Sequence, residues 1–164
     1  MFHVRNWRTE VASMNLRHWI LIVFICLIAC GEEAPDAGAD VTAIQVFLDN
    51  ATTINNAGDI MGWVDLFADD VVYMPDGQPP ITTREALEGA AVSHFSRYQP
   101  NIRITADEIE IVGDWAFART TVTGTLTPHR NRNPLTIDRK EIAIFRRQAD
   151  GRWKLARLIG NSSR

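Results

Sequence analysis

The sequence predicts an α+β domain in which three N-terminal helices cover a curved antiparallel β-sheet. Apolar residues recur at helical spacing in the first part of the chain, whereas the second part contains four long segments typical of strands, separated by turn residues. The order of these elements predicts a cone-shaped sheet that encloses a pocket at its mouth. The 164 residues, 46% hydrophobic and 23% charged, suit one globular domain and exclude collagen, coiled coil and wholesale disorder.

The first two helices are predicted from caps and periodicity. Asp40 is suited to cap a helix from about Val41 to Asn56, in which apolar residues share one face. Gly58 ends this helix, and Asp59 caps a short second one.

A short strand at 71–74 precedes the third helix. Thr82 and Glu85 form a capping box for that helix, which is expected to reach about Tyr98. The rest of the chain is predicted to be a meander of strands with turns at 113–114 and 149–151. These strands are expected at Ile102–Val112, Trp115–Leu126, Leu135–Arg147 and Arg152–Gly160.

The N-terminal segment 1–29 is typical of a bacterial lipoprotein signal peptide. The uncharged run Trp19–Ala29 is too short to span a bilayer and suits a signal sequence, and it ends at Cys30, where a lipid would be attached. Translation from Met14 instead of Met1 would give a more compact signal. A short membrane anchor or a chance apolar run is the alternative interpretation.

A lipoprotein has consequences for the rest of the chain. Residues 30–40 would form a flexible tether and 41–162 the folded domain, at the periplasmic face of the outer membrane. Cleavage before Cys30 leaves 135 residues with a net charge of −5, and no free thiol for catalysis, disulfides or metal binding. We therefore expect no metal and no cofactor.

Charge is segregated along the chain. Residues 30–83 contain acidic side chains but no Lys or Arg, whereas 84–164 contain most of the bases. This pattern favours acidic helices packed on a basic sheet over a binding patch, and no nucleic-acid partner is expected. The basic pairs Arg139-Lys140 and Arg146-Arg147 are interpreted as an exposed sheet face or a dimer contact.

Four stretches of the chain form a recognisable set in a fixed order: 54–59, which includes Asn55-Asn56-Ala57-Gly58-Asp59, then 66–75, 113–119 and 145–155. These segments resemble the SnoaL-like and ketosteroid-isomerase-like domains of the nuclear transport factor 2-like superfamily. The resemblance covers about 41–162 and implies the cone fold, but not one function, because the superfamily contains isomerases, cyclases, dehydratases and binding modules.

The same resemblance assigns the three catalytic positions of ketosteroid isomerase. They fall at Ala51, Met74 and near Ala143, none of which can transfer a proton. A gap shift of two residues would bring Glu141 to the last position. Steroid isomerisation by that mechanism is therefore not expected, and the enzyme assignment stays open.

The family's alternation of strand faces also predicts which side chains enter the pocket. On two strands these are expected to be Phe117, Arg119, Thr121 and Thr123, and Leu155, Arg157 and Ile159. A buried Arg119 needs an anion, either an internal acid such as Glu141 or Asp76, or a ligand carboxylate or phosphate. The ligand-binding candidates are Arg119, Thr121, Arg157, Trp63, Tyr73 and Tyr98.

Two classes of function follow, with a third alternative. The first is a pocket for a small, partly apolar, anionic molecule. The second is an isomerase, lyase or hydratase that uses His94, Asp76 or Tyr73, although His94 is also compatible with a buried structural role. The third is a dimeric interaction module, since a homodimer through the sheet is expected.

Overall fold

The structure is a computed structural model that describes residues 37–163. The predicted signal segment, Cys30 and the first part of the tether lie outside these residues. No helix in the described part is long and apolar enough to cross a membrane. The elements are α1 (Ala37–Ala57), α2 (Ile60–Asp65), β1 (Phe67–Met74), α3 (Arg84–Phe95), β2 (Tyr98–Val112), β3 (Trp115–Pro128), β4 (Leu135–Arg147) and β5 (Trp153–Ser162).

The predicted α+β class is confirmed. The five strands form one curved sheet in the order β1-β5-β4-β3-β2. The strand pairs β2–β3, β3–β4 and β4–β5 are antiparallel, as expected for strands joined by hairpins. Strand β1 pairs with β5 in parallel. The helices precede or interrupt this meander in sequence and cover one face of it.

Two helix starts differ from their predictions. Helix α1 begins at Ala37, so that Asp40 lies in its first turn instead of capping it, and the Asp40 carboxylate pairs with Arg147 at 2.5 Å. Helix α3 is capped by Thr83, whose hydroxyl accepts from the Ala86 amide, and not by Thr82. The Asp59 cap of α2 is confirmed, because its carboxylate accepts from the Gly62 amide at 2.9 Å.

The inner face of the sheet carries small side chains on β3 and β4. Ala116, Ala118 and Ala143 are buried in the core between the sheet and the helices, and Phe145 contacts Phe47 of α1 with ring centroids 5.1 Å apart. The inward alternation predicted for β3 is therefore wrong. The inner set on this strand is Ala116, Ala118, Thr120 and Val122, and the outer set is Phe117, Arg119, Thr121 and Thr123.

A β-bulge changes the alternation of β5. Phe145 pairs with Leu155 and Ile144 with Arg157, so Ala156 is an extra residue between the two pairs. Leu155 faces the helices, as predicted. Beyond the bulge Leu158 faces them too, which leaves Arg157 and Ile159 on the outer face, opposite to their predicted orientation.

The acidic and basic segments of the chain form ion pairs with each other within this one domain. Acids from residues 37–83 pair with bases from residues 84–163. Among these pairs, only Asp40–Arg147 joins an acidic helix to the basic sheet as predicted, because Asp65 and Arg84 both lie on helices and Asp70 lies on β1. The pairs are Asp40–Arg147, Asp65–Arg84, Asp70–Arg146 and Asp70–Arg157.

Candidate binding pocket

A cavity of about 220 Å³ lies between the helices and the inner face of the sheet. One part of its wall is aromatic. The ring of Trp63 lies 4.8 Å from that of Phe67 and 6.1 Å from that of Tyr73. Small side chains, Ala51 and Ala143, leave room in other parts of the wall. The cavity is smaller than the pockets of about 300–1,000 Å³ that hold drug-sized molecules.

Several polar side chains line this cavity without a hydrogen-bond or ion-pair partner in the described part of the chain. Tyr73, His94 and Arg139 make no side-chain hydrogen bond or ion pair with any described residue. Arg139 and Glu141 lie two residues apart on the inner face of β4, yet they do not form an ion pair. Buried polar groups are normally paired, so this set is suited to bind groups that the protein does not itself supply.

Glu141 is the acidic group of the cavity. Burial raises the pKa of its carboxyl, an effect that Arg139 and the Thr120 hydroxyl oppose. Thr120 is its direct partner across the β3–β4 ladder, and Gly160 is its partner on β5. A side chain at position 160 would crowd the carboxyl, since its Cβ would lie 3.2 Å from Glu141 Oε1.

Two further titratable groups share the cavity with Glu141. Burial lowers the pKa of His94, and the charges of Arg139 and Arg97 lower it further. Burial raises the pKa of the Tyr73 phenol, with smaller effects from Arg139 and Glu141. Burial therefore favours the neutral forms of all three groups, while Arg139 supplies positive charge near each of them.

Arg119 and Thr121 lie on the outer face of the sheet. The Arg119 guanidinium is half exposed and pairs at 3.2 Å with the carboxylates of Asp107 and Glu108. Thr121 donates to Asp107 at 2.8 Å. Arg119 therefore does not reach an internal acid of the pocket or a ligand inside it, which were the two partners expected for a buried guanidinium.

The remaining predicted residues divide between cavity and surface. Trp63, Tyr73 and His94 line the cavity, as expected. Tyr98 does not line it, although its ring lies 5.7 Å from that of His94. Arg157 binds the Asp70 carbonyl at 2.9 Å on the outer face, and Asp76 is exposed and accepts from the Ser162 amide.

The positions that correspond to isomerase catalytic residues are also located. Ala51 and Ala143 line the cavity, so the structure brings two of the three to the expected region. Met74 does not line it, whereas its neighbour Pro75 does. Within residues 37–163, no group of three or more His, Cys, Asp or Glu side chains is arranged to hold a metal ion.

Sequence reasoning missed Arg139, which it assigned to an exposed face. The signal that could have found it is the alternation within β4, where Arg139, Glu141 and Ala143 lie on the same face as the buried Phe145. A large apolar residue such as Phe145, which is expected in the core, therefore predicts that the alternate residues of the same strand also face inward.

These features can be compared with known proteins. Residues 49–156 match the family model of the SnoaL-like domain. The chain belongs to this family. A comparison of the SnoaL-like chain with curated proteins finds no match.

Solved structures share the fold of this SnoaL-like domain. A ketosteroid isomerase-like protein from Erwinia carotovora atroseptica is 24% identical, with a TM-score of 0.69, and the alignment covers 75% of this chain and 95% of that one. A conserved protein from Planctomyces limnophilus is 28% identical, with a TM-score of 0.66 and coverages of 76% and 98%. A type 2 hexachlorocyclohexane dehydrochlorinase is 15% identical, with a TM-score of 0.64 and coverages of 77% and 86%.

Proposed function

We propose that the domain binds a small, partly apolar molecule with an anionic group, and that Arg139 receives this group. The observation that carries the proposal is a guanidinium in the cavity wall with no carboxylate partner among the described residues. Its planar N–H groups suit a carboxylate or phosphate. The ligand class is the one expected from the sequence, but the anion contact moves from Arg119 to Arg139.

Benzoate and benzamide provide a direct test, because they have the same shape and differ in charge. Isothermal titration calorimetry should show tighter binding of benzoate, and Arg139→Gln should weaken that binding about tenfold or more, as expected for a lost charge-assisted hydrogen bond. Arg119→Gln is the matched control on the outer face and should retain the affinity. Failure of benzoate to bind, equal affinity for benzamide, or an equal loss in both variants would contradict the proposal.

A second candidate function is proton-transfer chemistry of the lyase, isomerase or hydratase type. The specific observation in its favour is that Glu141, His94 and Tyr73 share one cavity and are all shifted towards their neutral forms. The name of one structural neighbour, a dehydrochlorinase, supports elimination chemistry on this fold. Asp76, exposed and bound to Ser162, is not included in this proposal.

Deuterium exchange provides the test for catalysis. NMR spectroscopy in D₂O should show accelerated exchange of the protons beside the carbonyl of phenylpyruvate, and Glu141→Gln should abolish the acceleration. Glu110→Gln removes an acid from the exposed face of β2 and should have no effect. An acceleration that survives Glu141→Gln would contradict a role for this carboxyl.

We further propose that the chain is a lipoprotein attached through Cys30 to the periplasmic face of the outer membrane. Support comes from the uncharged run Trp19–Ala29 that ends at this cysteine. Cys30→Ala should abolish incorporation of radiolabelled palmitate, and Cys26→Ala, within the signal segment, should retain it. Label that persists in Cys30→Ala would contradict the assignment.

Finally, we propose that the outer face of the sheet joins two copies of the domain. Phe117, Ile142, Ile144 and Ile159 form an apolar strip there, defined here as the outer strip. The strip is flanked by acids on β2 and by bases on β4 and β5. A two-fold axis through the strip would bury these apolar side chains between the two copies, which supports a symmetric dimer.

A further inference from the structure

The hydroxyl of Thr120 is the most completely buried polar group in the cavity wall. Thr120 is 1% exposed, and its Oγ1 makes no well-aligned hydrogen bond within the described part of the chain. It lies on the inner face of β3 between Ala118 and Val122, which offer no polar partner. The hydroxyl is near enough to the Glu141 carboxyl to lower the pKa of that group, but it lacks the geometry of a hydrogen bond to it. An unsatisfied buried hydroxyl costs about 1–3 kcal/mol, so its place in the cavity wall points to a ligand that completes its bonding.

Glu141 provides a second polar group at the same level of the sheet. It is paired with Thr120 across the ladder, and Gly160 on its other side leaves space for the carboxyl. Because burial raises the pKa of Glu141, the protonated acid persists to a higher pH than is usual. A protonated carboxyl can donate one hydrogen bond and accept another, which makes the Thr120–Glu141 pair suited to a hydroxyl group.

Arg139 lies in the adjacent row of the inner face, two residues before Glu141. A strand rises about 3.3 Å per residue, so the backbone positions of the two residues are separated by roughly 7 Å along β4, and their side chains provide two binding points. Arg139 provides the cationic point, and the Thr120–Glu141 pair provides a neutral point that can donate and accept hydrogen bonds. The aromatic wall formed by Trp63, Phe67 and Tyr73 favours a flat ring between them.

We propose that the cavity selects a single-ring aromatic acid with a hydroxyl opposite its carboxylate, the carboxylate on Arg139 and the hydroxyl between Thr120 and Glu141. The inference rests on the proposed function, since it uses the same cavity and the same anion contact. It adds the ligand class and a specificity-determining residue, Thr120. A ring with both groups at neighbouring positions cannot reach the two binding points at once.

The test compares benzoate, 4-hydroxybenzoate and 2-hydroxybenzoate by isothermal titration calorimetry. The parent domain should bind 4-hydroxybenzoate about three- to tenfold more tightly than benzoate, the gain expected for one hydrogen bond. 2-Hydroxybenzoate should show no such gain. Thr120→Val, which is nearly isosteric, should abolish the preference for 4-hydroxybenzoate while the variant still binds benzoate.

Two further variants keep the result interpretable. Thr121→Val removes the neighbouring hydroxyl on the outer face and should retain the preference. Thr120→Ser, which keeps a hydroxyl, should retain it as well, so a loss in Thr120→Val cannot be assigned to misfolding. A preference that survives Thr120→Val, or that 2-hydroxybenzoate shares, would overturn this inference, whereas benzoate binding that ignores Arg139 would overturn the proposed function instead.

Discussion

Arg139 and Arg119 lie on neighbouring strands and face opposite sides of the sheet. Arg119 is neutralised by two acids on the exposed face, whereas Arg139 lines the cavity near three titratable groups. The charge of Arg139 lowers the pKa of His94 and of Glu141. The same residue type therefore has a structural role at one position and a proposed binding role at the other, because burial and partners differ.

Removing this charge should be visible in the titration of His94. Arg139→Gln should raise the pKa of the imidazole, because a repelling positive charge is lost while the burial that lowers the pKa remains. The measurement is an NMR titration of the ring protons. Arg119→Gln should leave the His94 titration curve unchanged. An unshifted curve in Arg139→Gln would show that the charge of Arg139 does not act on His94.

Glu141 should make stability depend on pH. Burial raises its pKa above the ordinary value of 4.5, so the folded state holds this proton to a higher pH than the unfolded chain does. Its contribution to stability is present below 4.5 and is lost as pH rises through the folded-state pKa. Glu141→Gln cannot ionise, so its free energy of unfolding, relative to the parent, should increase with rising pH.

Urea denaturation at a series of pH values measures this difference. Glu110→Gln controls for the loss of one negative charge at an exposed position. A difference between Glu141→Gln and the parent that stays constant, or that shrinks as pH rises, would show that the carboxyl is not buried as described.

At the scale of elements, the strand pairing depends on one glycine. Gly124 of β3 has a φ of 137°, and a Cβ there would overlap the carbonyl oxygen of Asn101 on β2. The β2–β3 pairing could not keep its register with a larger residue at this position. Asn56 connects helix α1 to β2 through two hydrogen bonds. Its Nδ2 donates to the Ile102 carbonyl and its Oδ1 accepts from the Ile102 amide, each at 2.8 Å.

Gly124→Ala should lower the free energy of unfolding by about 3 kcal/mol or more, because backbone strain and steric overlap add. Gly113→Ala is the matched control, with a φ of 58° and no neighbour to clash with, and should cost about 1–2 kcal/mol. Chemical denaturation measures both. Equal losses would mean that the close approach to Asn101 does not matter.

At the scale of the whole molecule, two faces of one sheet have separate roles. The inner face closes the cavity with α1, α2 and α3, and the outer face carries the outer strip and the ion pairs of Arg119, Arg146 and Arg157. Such surface pairs contribute little stability, about 0–1 kcal/mol each, so they are better suited to specify how two copies meet.

Ile159→Asp should disrupt the proposed dimer, because it buries a charge in the outer strip. Ile159 is 44% exposed in the single domain, so the substitution is compatible with folding. Sedimentation equilibrium should show a dimer for the parent and a monomer for this variant. Val92→Asp, at an exposed position of α3, is the control and should remain dimeric, while a dimeric Ile159→Asp would exclude this face.

The sequence by itself determined the fold class and most elements of this domain. Local patterns are sufficient for these, because caps, turns and periodicity act between residues that are near in the chain. The bounds of β4, Leu135–Arg147, are those predicted, and Asp59 caps α2 as expected. The family also follows from such local segments, since several of them recur in a fixed order.

Only the tertiary structure decided which face of each strand lines the cavity. Alternation defines two faces but does not say which one is covered, and on β3 the larger side chain, Phe117, lies on the outer face while Ala116 and Ala118 are buried in the core. On β5 a single bulged residue, Ala156, reverses the alternation part-way along the strand. Both effects depend on contacts between distant parts of the chain, which is why Arg139 replaced Arg119 as the cation of the pocket.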